Sequence, residues 1–329
     1  MRISESLGIH ILGLLCESSL GNDDSRGWMM ADVLKRGAGL GDVRLDARAE
    51  IVFHQMVATH SVVLKRLGGE RAGALGAGRL LASEKVGVEN LLAPHIARTC
   101  EAVRGCRIVA AQDTTEVNFA GRDKRRRGLG PGGDGVSKGF FIHPVIAIDA
   151  DNEAVLGIAA AEIWTRDDAP APEHHGRPFS DKESARWLRG AMQAARRLTA
   201  AASVVVVGDR ESDIYEVFAG KPESVDFVIR ASQDRKLASG ALLFETAAAF
   251  AILGSSLVRV ASKGIGDKGR LARVLIKAGQ VEIARPKRRG CAPEGMMTVA
   301  LGIVEVVEID APAGVTPLLW RLADRKSVV

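Results

Sequence analysis

The chain contains 329 residues, of which 47% are hydrophobic and 26% are charged, and this balance excludes global disorder. The length predicts one large domain together with a smaller domain or an insertion. A net charge of +5, from 45 basic and 40 acidic residues, permits an anionic partner without proving one. The sequence has no apolar run of transmembrane length, and its 4 cysteines form no CxxC pair. We therefore expect a reduced, cytoplasmic protein with no membrane partner.

The amino-terminal part of the chain is predicted to be an extension followed by helices. Residues 1–38 have no regular pattern, and we interpret them as an irregular N-terminal extension. Apolar residues such as Ile51, Val52 and Met56 then recur at steps of three and four, which is typical of amphipathic helices. The pattern predicts a small helical domain over residues 39–104.

Residues 105–230 are predicted to form an α/β core. Three short apolar runs separated by turn residues predict antiparallel strands at Arg107–Gln112, Gly139–Ala150 and Ala154–Trp164. The consecutive valines Val204–Val207 are typical of a strand buried on both faces, and another strand is predicted at Asp226–Arg230.

Two helices are predicted between these strands. Ser180 is followed three residues later by Glu183, a capping-box pattern that predicts a helix over Asp181–Ala202. A short helix is predicted at Ser212–Ala219. Meander strands followed by alternating helices and strands predict a mixed sheet with flanking helices.

The carboxyl-terminal part is predicted to be rich in strands, with no strong helix. Residues 231–322 are interpreted as a β-rich insertion in the α/β core, and residues 323–329 as an atypical tail. The strands are expected at Leu257–Ser262, Leu271–Ile276, Gln280–Ala284, Thr298–Ile309 and Leu318–Leu322.

Asp113 and Asp209 occupy matching positions, because each directly ends a short apolar strand. Ligands of α/β sheets collect at the carboxyl ends of neighbouring strands. Two carboxylates brought together there repel each other unless a cation lies between them, and Mg²⁺ or Mn²⁺ suits such an oxygen-rich site. The pattern alone leaves a second interpretation open, in which Asp113 caps a turn and Asp209 caps the following helix.

Two basic runs lie in glycine-containing stretches and are candidate phosphate contacts. One consists of Lys124, Arg125, Arg126 and Arg127, and the other of Lys287, Arg288 and Arg289. A lone basic run is more often a solvated loop, but two such runs around a polar core favour phosphate contact.

Several motifs together resemble the bacterial DDE transposases of the insertion-sequence-four family, over residues 28–322. They are Leu40–Leu45 (LGDVRL), Ala111–Thr115 (AQDTT), Gly128–Gly130 (GLG), Gly139–Pro144 (GFFIHP), Trp164–Arg166 (WTR), Lys182–Trp187 (KESARW), Gly208–Tyr215 (GDRESDIY), Phe227–Arg230 (FVIR) and Thr316–Trp320 (TPLLW).

The resemblance implies a ribonuclease-H-like core, a helical DNA-binding domain and metal-dependent DNA cleavage and strand transfer. It implies that Asp113 and Asp209 are the catalytic, metal-binding carboxylates for Mg²⁺ or Mn²⁺. Arg230 would contact DNA near them, and Trp320 would stack on a flipped base. The implied partner is transposon-end double-stranded DNA, and binding as a homodimer stays open.

The same family carries a third carboxylate, a Glu in a Tyr-Arg-x-x-x-x-Glu block on a final core helix, and no such block precedes Val329. We therefore expect a truncated, catalytically incomplete copy. Glu211 is a nearby acidic residue, although a favourable charge at a helix N-terminus explains it more simply. Two alternatives stay open. One is a DNA-binding or dimerising remnant that interferes with an intact transposase, and the other is an unrelated metal-dependent phosphohydrolase.

Overall fold

The computed structural model describes residues 40–119, 128–167, 177–260, 269–287 and 297–326. The chain divides into two compact units, Met1–Ala102 and Val103–Val329. The predicted N-terminal extension lies outside the described residues. In the ranges given above, no helix is both long enough and apolar enough to cross a membrane.

The described part of the first unit is helical, as the apolar spacing predicts. Its helices are α1 (Val43–Thr59), α2 (Leu64–Leu67), α3 (Arg71–Leu81) and α4 (Val88–Ala102). Asp42 caps α1 by accepting a hydrogen bond from the Arg44 amide. Gly68 separates α2 from α3, and a Cβ there would lie 2.1 Å from the Ala74 nitrogen, so only glycine allows this close turn. Leu40, Val52, Leu67, Ala77 and Leu80 form a small core within this unit.

The second unit is an α/β structure built on one mixed sheet. Its first strands are β1 (Arg107–Gln112), β2 (Thr115–Phe119), β3 (Gly130–Pro131), β4 (Lys138–Asp149) and β5 (Val155–Trp164). These are followed by α5 (Arg186–Arg197), β6 (Ser203–Gly208), α6 (Tyr215–Ala219), β7 (Asp226–Arg230), α7 (Leu243–Ala248), β8 (Ile252–Val260), β9 (Arg270–Ala284), β10 (Thr298–Ile309) and β11 (Leu319–Arg325).

Among the described residues the sheet has 11 strands. β4 lies between β5 and the β1–β2 line and is antiparallel to all three. β6 and β7 then follow β1 in parallel. The sheet continues through β11, β10, β9 and β8 in antiparallel order. The prediction of a mixed sheet with flanking helices is therefore confirmed.

The two faces of the sheet differ in how completely they are covered. The face that carries α5, here called the helix face, buries side chains such as Ile108, Val206 and Phe227 against Trp187. α5 presents its buried residues at helical spacing, at Trp187, Gly190, Ala191 and Ala194. On the opposite face, here called the site face, alternate side chains of the same strands are half-buried. They include Val109, Val205, Val207 and Val228. The prediction that the valine strand is buried on both faces is therefore wrong.

The capping box predicted at Ser180 does not form. The Ser180 hydroxyl donates to the Asp181 carboxylate. Glu183 instead accepts hydrogen bonds from the Trp164 indole (2.6 Å) and the Arg166 guanidinium (2.9 Å). Because these distant partners hold Glu183, short 3₁₀ turns occupy residues 179–185 and the α-helix begins at Arg186. The helix predicted at 212–219 is likewise a 3₁₀ turn at 210–212 followed by α6.

The β-rich block shares the sheet of the α/β core, because β11 pairs with β7. The strands predicted at 271–276 and 280–284 are one continuous strand, β9. A short helix, α7, also lies in this block, where none was expected. The tail predicted at 323–329 is wrong in its first part, because β11 extends to Arg325.

Candidate functional site at the strand ends

Asp113 lies at an interruption between two collinear strands. Gln112 of β1 pairs with Val145 and Thr115 of β2 pairs with Ile142, so the intervening Asp113 and Thr114 face Pro144 and His143 of β4. Proline has no amide hydrogen to donate, which weakens the ladder at this point. The chain can therefore turn the Asp113 carboxylate out of the sheet while it keeps the same register on both sides.

Asp113, Asp209 and Arg230 form a row across three neighbouring strand ends. Ala111 pairs with Val207 in parallel, so the register places Asp113 beside Asp209 two residues later. Gly208 pairs with Ile229, which places Asp209 beside Arg230. Neighbouring strands lie about 4.8 Å apart, and paired residues point to the same face. As predicted, the two carboxylates thus occupy adjacent strand ends, and Arg230 is next in line.

The Asp113 carboxyl lies in an electrostatically unfavourable place. Burial raises its pKa from the usual 3.8 to about 6, and the negative charges of Asp209 and Glu211 act in the same direction. The Thr114 amide and the Arg186 guanidinium oppose the shift without cancelling it. A partly buried carboxyl that repels its acidic neighbours is the condition that a bound cation relieves.

Each carboxylate has one oxygen held by the backbone and one available. Asp113 Oδ1 accepts from the Thr114 amide (2.7 Å), and Asp209 Oδ1 accepts from the Glu211 amide (2.8 Å). Within the described ranges, neither Oδ2 atom accepts a hydrogen bond, and no group of three or more His, Cys, Asp or Glu side chains is arranged to hold a metal. Two carboxylates fit Mg²⁺, which is commonly bound by one or two carboxylates plus phosphate and water oxygens.

Two arginines flank Asp209 without being neutralised. Neither the Arg230 nor the Arg210 guanidinium makes an ion pair or hydrogen bond with any described residue. Burial lowers the pKa of Arg230, the positive charge of Arg210 adds to this, and Asp209 opposes it. Unpaired guanidiniums beside a carboxylate pair favour an anionic ligand with oxygen atoms, such as a phosphodiester.

Sequence reasoning missed Arg186, the first residue of α5. Its Nε donates to the Thr114 hydroxyl (2.7 Å), and its Nη2 donates to Glu211 Oε2 (2.9 Å). Arg186 therefore bridges the chain segments that follow β1 and β6. It lies inside the KESARW motif, but its role depends on two partners far away in sequence. Glu211 contributes to this ion pair. Its backbone amide also donates to the Asp209 carboxylate, so Asp209 caps the 3₁₀ turn that follows it.

The other predicted residues lie at various distances from this row. Trp320 is half-buried on β11, opposite Val306, and the register places it on the site face two residues before Leu322, the partner of Arg230. Lys287 is exposed just after β9. The remaining basic residues of the two runs lie outside the described residues, namely Lys124, Arg125, Arg126, Arg127, Arg288 and Arg289.

The site face thus combines two available carboxylate oxygens, an unpaired arginine in the same row and an aromatic side chain nearby. This combination suits the binding of a divalent cation together with a phosphate oxygen. No protein-family model matches this chain.

Proposed function

We propose that this chain is a protein of the DDE transposase type, which binds transposon-end double-stranded DNA and belongs to a class of proteins that act on phosphodiester bonds with Mg²⁺ or Mn²⁺. The observation that carries the proposal is the row of Asp113, Asp209 and Arg230 on three neighbouring strand ends. Two metal-binding carboxylates and a phosphate-binding guanidinium are the groups that phosphodiester chemistry requires together.

The order of the strands supports a ribonuclease-H-like core. Three antiparallel strands, β5, β4 and β1, are followed by the parallel strands β6 and β7, and helices connect the parallel strands. β1 ends within the motif AQDTT, and β6 ends at the first residue of the motif GDRESDIY. The parallel pairing of these strands supports a shared role for Asp113 and Asp209.

The side chains have separate tasks in the proposed reaction. Asp113 and Asp209 would hold the cation through their available oxygens, while the Thr114 and Glu211 amides fix their other oxygens. Arg230 would orient a phosphate oxygen beside Asp209. With Mg²⁺ or Mn²⁺ bound, the site would gain a Lewis acid for phosphoryl transfer and for lowering the pKa of water.

The longer DNA contact would come from outside the row. Trp320 offers an aromatic face to an unstacked base. Lys287 and the other residues of the two basic runs would contact phosphates, and the helical unit would bind transposon-end DNA. A homodimer on the DNA is part of the same proposal.

Binding of Mn²⁺ alone tests the metal site. Electron paramagnetic resonance should detect a bound Mn²⁺ that Asp113→Asn and Asp209→Asn each weaken by at least about tenfold. Asp151→Asn is the matched control, because this aspartate pairs with Arg107 at the opposite end of β1. Equal Mn²⁺ affinity in all four proteins would refute the metal site.

DNA binding tests the phosphate contact. Arg230→Gln should flatten the dependence of log affinity on log salt for double-stranded DNA by about 0.9. Arg107→Gln removes the same charge away from the site and should leave the slope unaltered. An equal flattening in this control would show that net charge, and not a contact at Arg230, determines the slope. Hydrolysis of small phosphate esters with no affinity for DNA would instead support a phosphohydrolase.

DNA binding without cleavage is a second candidate, favoured by one observation. Glu211, the third acidic side chain near the row, is engaged by Arg186. A supercoiled plasmid incubated with Mn²⁺ separates the two functions. Nicking that Asp113→Asn abolishes supports cleavage, whereas a shift in mobility without nicking supports binding alone.

A further inference from the structure

The Arg186 guanidinium joins three segments of the chain at one point. Besides Thr114 and Glu211, it reaches the backbone oxygen of Glu183 through Nη1 (3.2 Å). Only 11% of its side chain is exposed, whereas the Glu211 side chain is 65% exposed. The carboxylate thus lies at the surface and the arginine beneath it. Of these partners, Thr114 directly follows Asp113 and Glu211 lies two residues after Asp209.

The contacts beyond Thr114 can form one continuous series of hydrogen bonds if the His143 ring hydrogen is on Nε2. Because Arg186 Nε–H donates to the Thr114 oxygen, the Thr114 hydroxyl hydrogen is free to donate to His143 Nδ1 (2.9 Å). His143 Nε2 then carries the ring hydrogen and donates to Gln112 Oε1 (3.1 Å). With that tautomer the donors run from Arg186 through Thr114 and His143 to Gln112.

The surroundings of His143 favour a neutral ring, as this series requires. The ring is buried and lies edge-on to Trp187, with ring centroids 4.6 Å apart. Burial lowers the pKa of His143 to about 3, the positive charges of Arg186 and Arg189 act in the same direction, and a hydrogen bond to the Asp113 backbone opposes them. The imidazole is therefore neutral at physiological pH and accepts one hydrogen bond while it donates the other.

We propose that Arg186 is a positioning residue that sets the spacing of Asp113 and Asp209. The hydrogen-bonded series Thr114–His143–Gln112 keeps the Thr114 hydroxyl in place for its contact with Arg186. The inference rests on the proposed metal site but concerns residues that do not touch the metal. Arg186 acts on Asp113 through Thr114, whose amide holds Oδ1 of that carboxylate. It acts on Asp209 through Glu211, whose amide holds Oδ1 of the second.

The positive charge of Arg186 lets one substitution distinguish an electrostatic effect on metal binding from an effect on spacing. A positive charge beside a cation site repels the cation, so its removal alone would strengthen metal binding. Loss of the spacing would weaken binding instead. Arg186→Gln therefore separates the two effects by sign, and Thr114→Val tests the same chain with no change in charge.

The first measurement needs no metal. Amide hydrogen exchange at Thr114 and Glu211, followed by NMR, should accelerate together by about tenfold in Arg186→Gln. Arg189→Gln is the matched control, because Arg189 lies one turn along α5 and pairs with Glu162 (2.5 Å). It should leave both amides unchanged. In the unaltered protein, the ¹⁵N spectrum of His143 should show hydrogen on Nε2 and none on Nδ1.

The second measurement is the affinity for Mn²⁺ alone. Arg186→Gln and Thr114→Val should each weaken it by about tenfold or more, whereas Thr114→Ser should restore it and Thr115→Val should not alter it. Unchanged or tighter Mn²⁺ binding in Arg186→Gln, with unchanged amide exchange, would overturn the inference. A hydrogen on His143 Nδ1 would overturn the direction of the chain.

The two proposals fail in different ways. If the unaltered protein binds no Mn²⁺ at Asp113 and Asp209, the proposed metal site is wrong, and the amide exchange still decides whether Arg186 holds both segments. If Mn²⁺ binds but the amides ignore Arg186→Gln, the metal site stands and the positioning role is wrong.

Discussion

The helix face and the site face of the sheet are made from alternate residues of the same strands, yet they carry opposite kinds of chemistry. On the helix face, Val206 and Phe227 are fully buried among apolar neighbours. On the site face, Val205 and Val207 are half-buried and lead directly to Asp209. The comparison teaches that one strand can pack the core with the side chains of its helix face and present polar groups to a ligand with those of its site face.

The hydrogen-bonding groups differ in the same way. His143 on the helix face has a partner for each ring nitrogen. On the site face, the described residues leave Arg230 and one oxygen of each aspartate without a partner. Unpaired polar groups reduce stability but are available to a ligand. We therefore expect truncation of an apolar side chain to cost more stability on the helix face than on the site face, and neutralisation of an unpaired carboxylate on the site face to raise stability.

The largest expected difference comes from two neighbouring valines of β6. Val206→Ala removes two buried carbons from the packed helix face and should lower the free energy of unfolding by about 2–3 kcal/mol. Val205→Ala, on the half-buried site face, should cost about 1 kcal/mol or less. Urea denaturation measures the free energy of unfolding of both variants, and the substitution is Val→Ala in each. Equal losses would show that the two faces are packed alike.

A glycine of α5 gives the next effect. A Cβ at Gly190 would lie 2.3 Å from Gln112 Oε1 and 3.1 Å from Val145 Cγ2, so Gly190→Ala must displace the partner of His143. The clash should outweigh the helix preference of alanine and lower the free energy of unfolding by about 1–2 kcal/mol.

Gly78→Ala in α3 is the control for that substitution. Among the described residues outside the backbone of α3 itself, no neighbouring atom lies within 4 Å of a Cβ at Gly78, so alanine should stabilise the protein by about 0.5–1 kcal/mol. Thermal unfolding measures the melting temperature of both variants. A higher melting temperature in Gly190→Ala as well as in Gly78→Ala would contradict the predicted clash at Gly190.

A further expected effect is a pH dependence at Asp113. Its pKa rises from 3.8 to about 6 on folding, so its contribution to stability is full below pH 3.8 and is lost as pH rises to 6. Asp113→Asn should therefore stabilise the metal-free protein at pH 7 by about 1–2 kcal/mol, a range reduced for solvent screening. Urea denaturation in a chelator at pH 4 and pH 7 measures this gain, which should shrink at pH 4.

On the helix face, His143 gives the opposite dependence of stability on pH. Its pKa falls from 6.5 to about 3 on folding, so its contribution is full above pH 6.5 and is lost as pH falls toward 3. Asp113→Asn should leave this acid-side loss in place. An Asp113→Asn protein with no acid-side loss would mean that His143 is not buried in its neutral form.

The sequence by itself determined the elements and the positions of the aspartates within them. Apolar spacing predicted the helices of residues 40–102, and short apolar runs predicted the core strands, because both patterns depend on neighbours in the chain. The positions of Asp113 and Asp209 directly after strands are local in the same sense. Their shared edge followed from the parallel strand order expected for this class of sheet.

Only the tertiary structure decided which side chains complete the site and which face stays half-covered. The capping box at Ser180 failed because Trp164 and Arg166, which are distant in sequence, bind Glu183 more directly than the local backbone does. Arg186 gained its partners in the same way, since Thr114 and Glu211 lie 72 and 25 residues away from it. The register that aligns Asp113, Asp209 and Arg230 is a pairing between strands, and no local pattern encodes such a pairing.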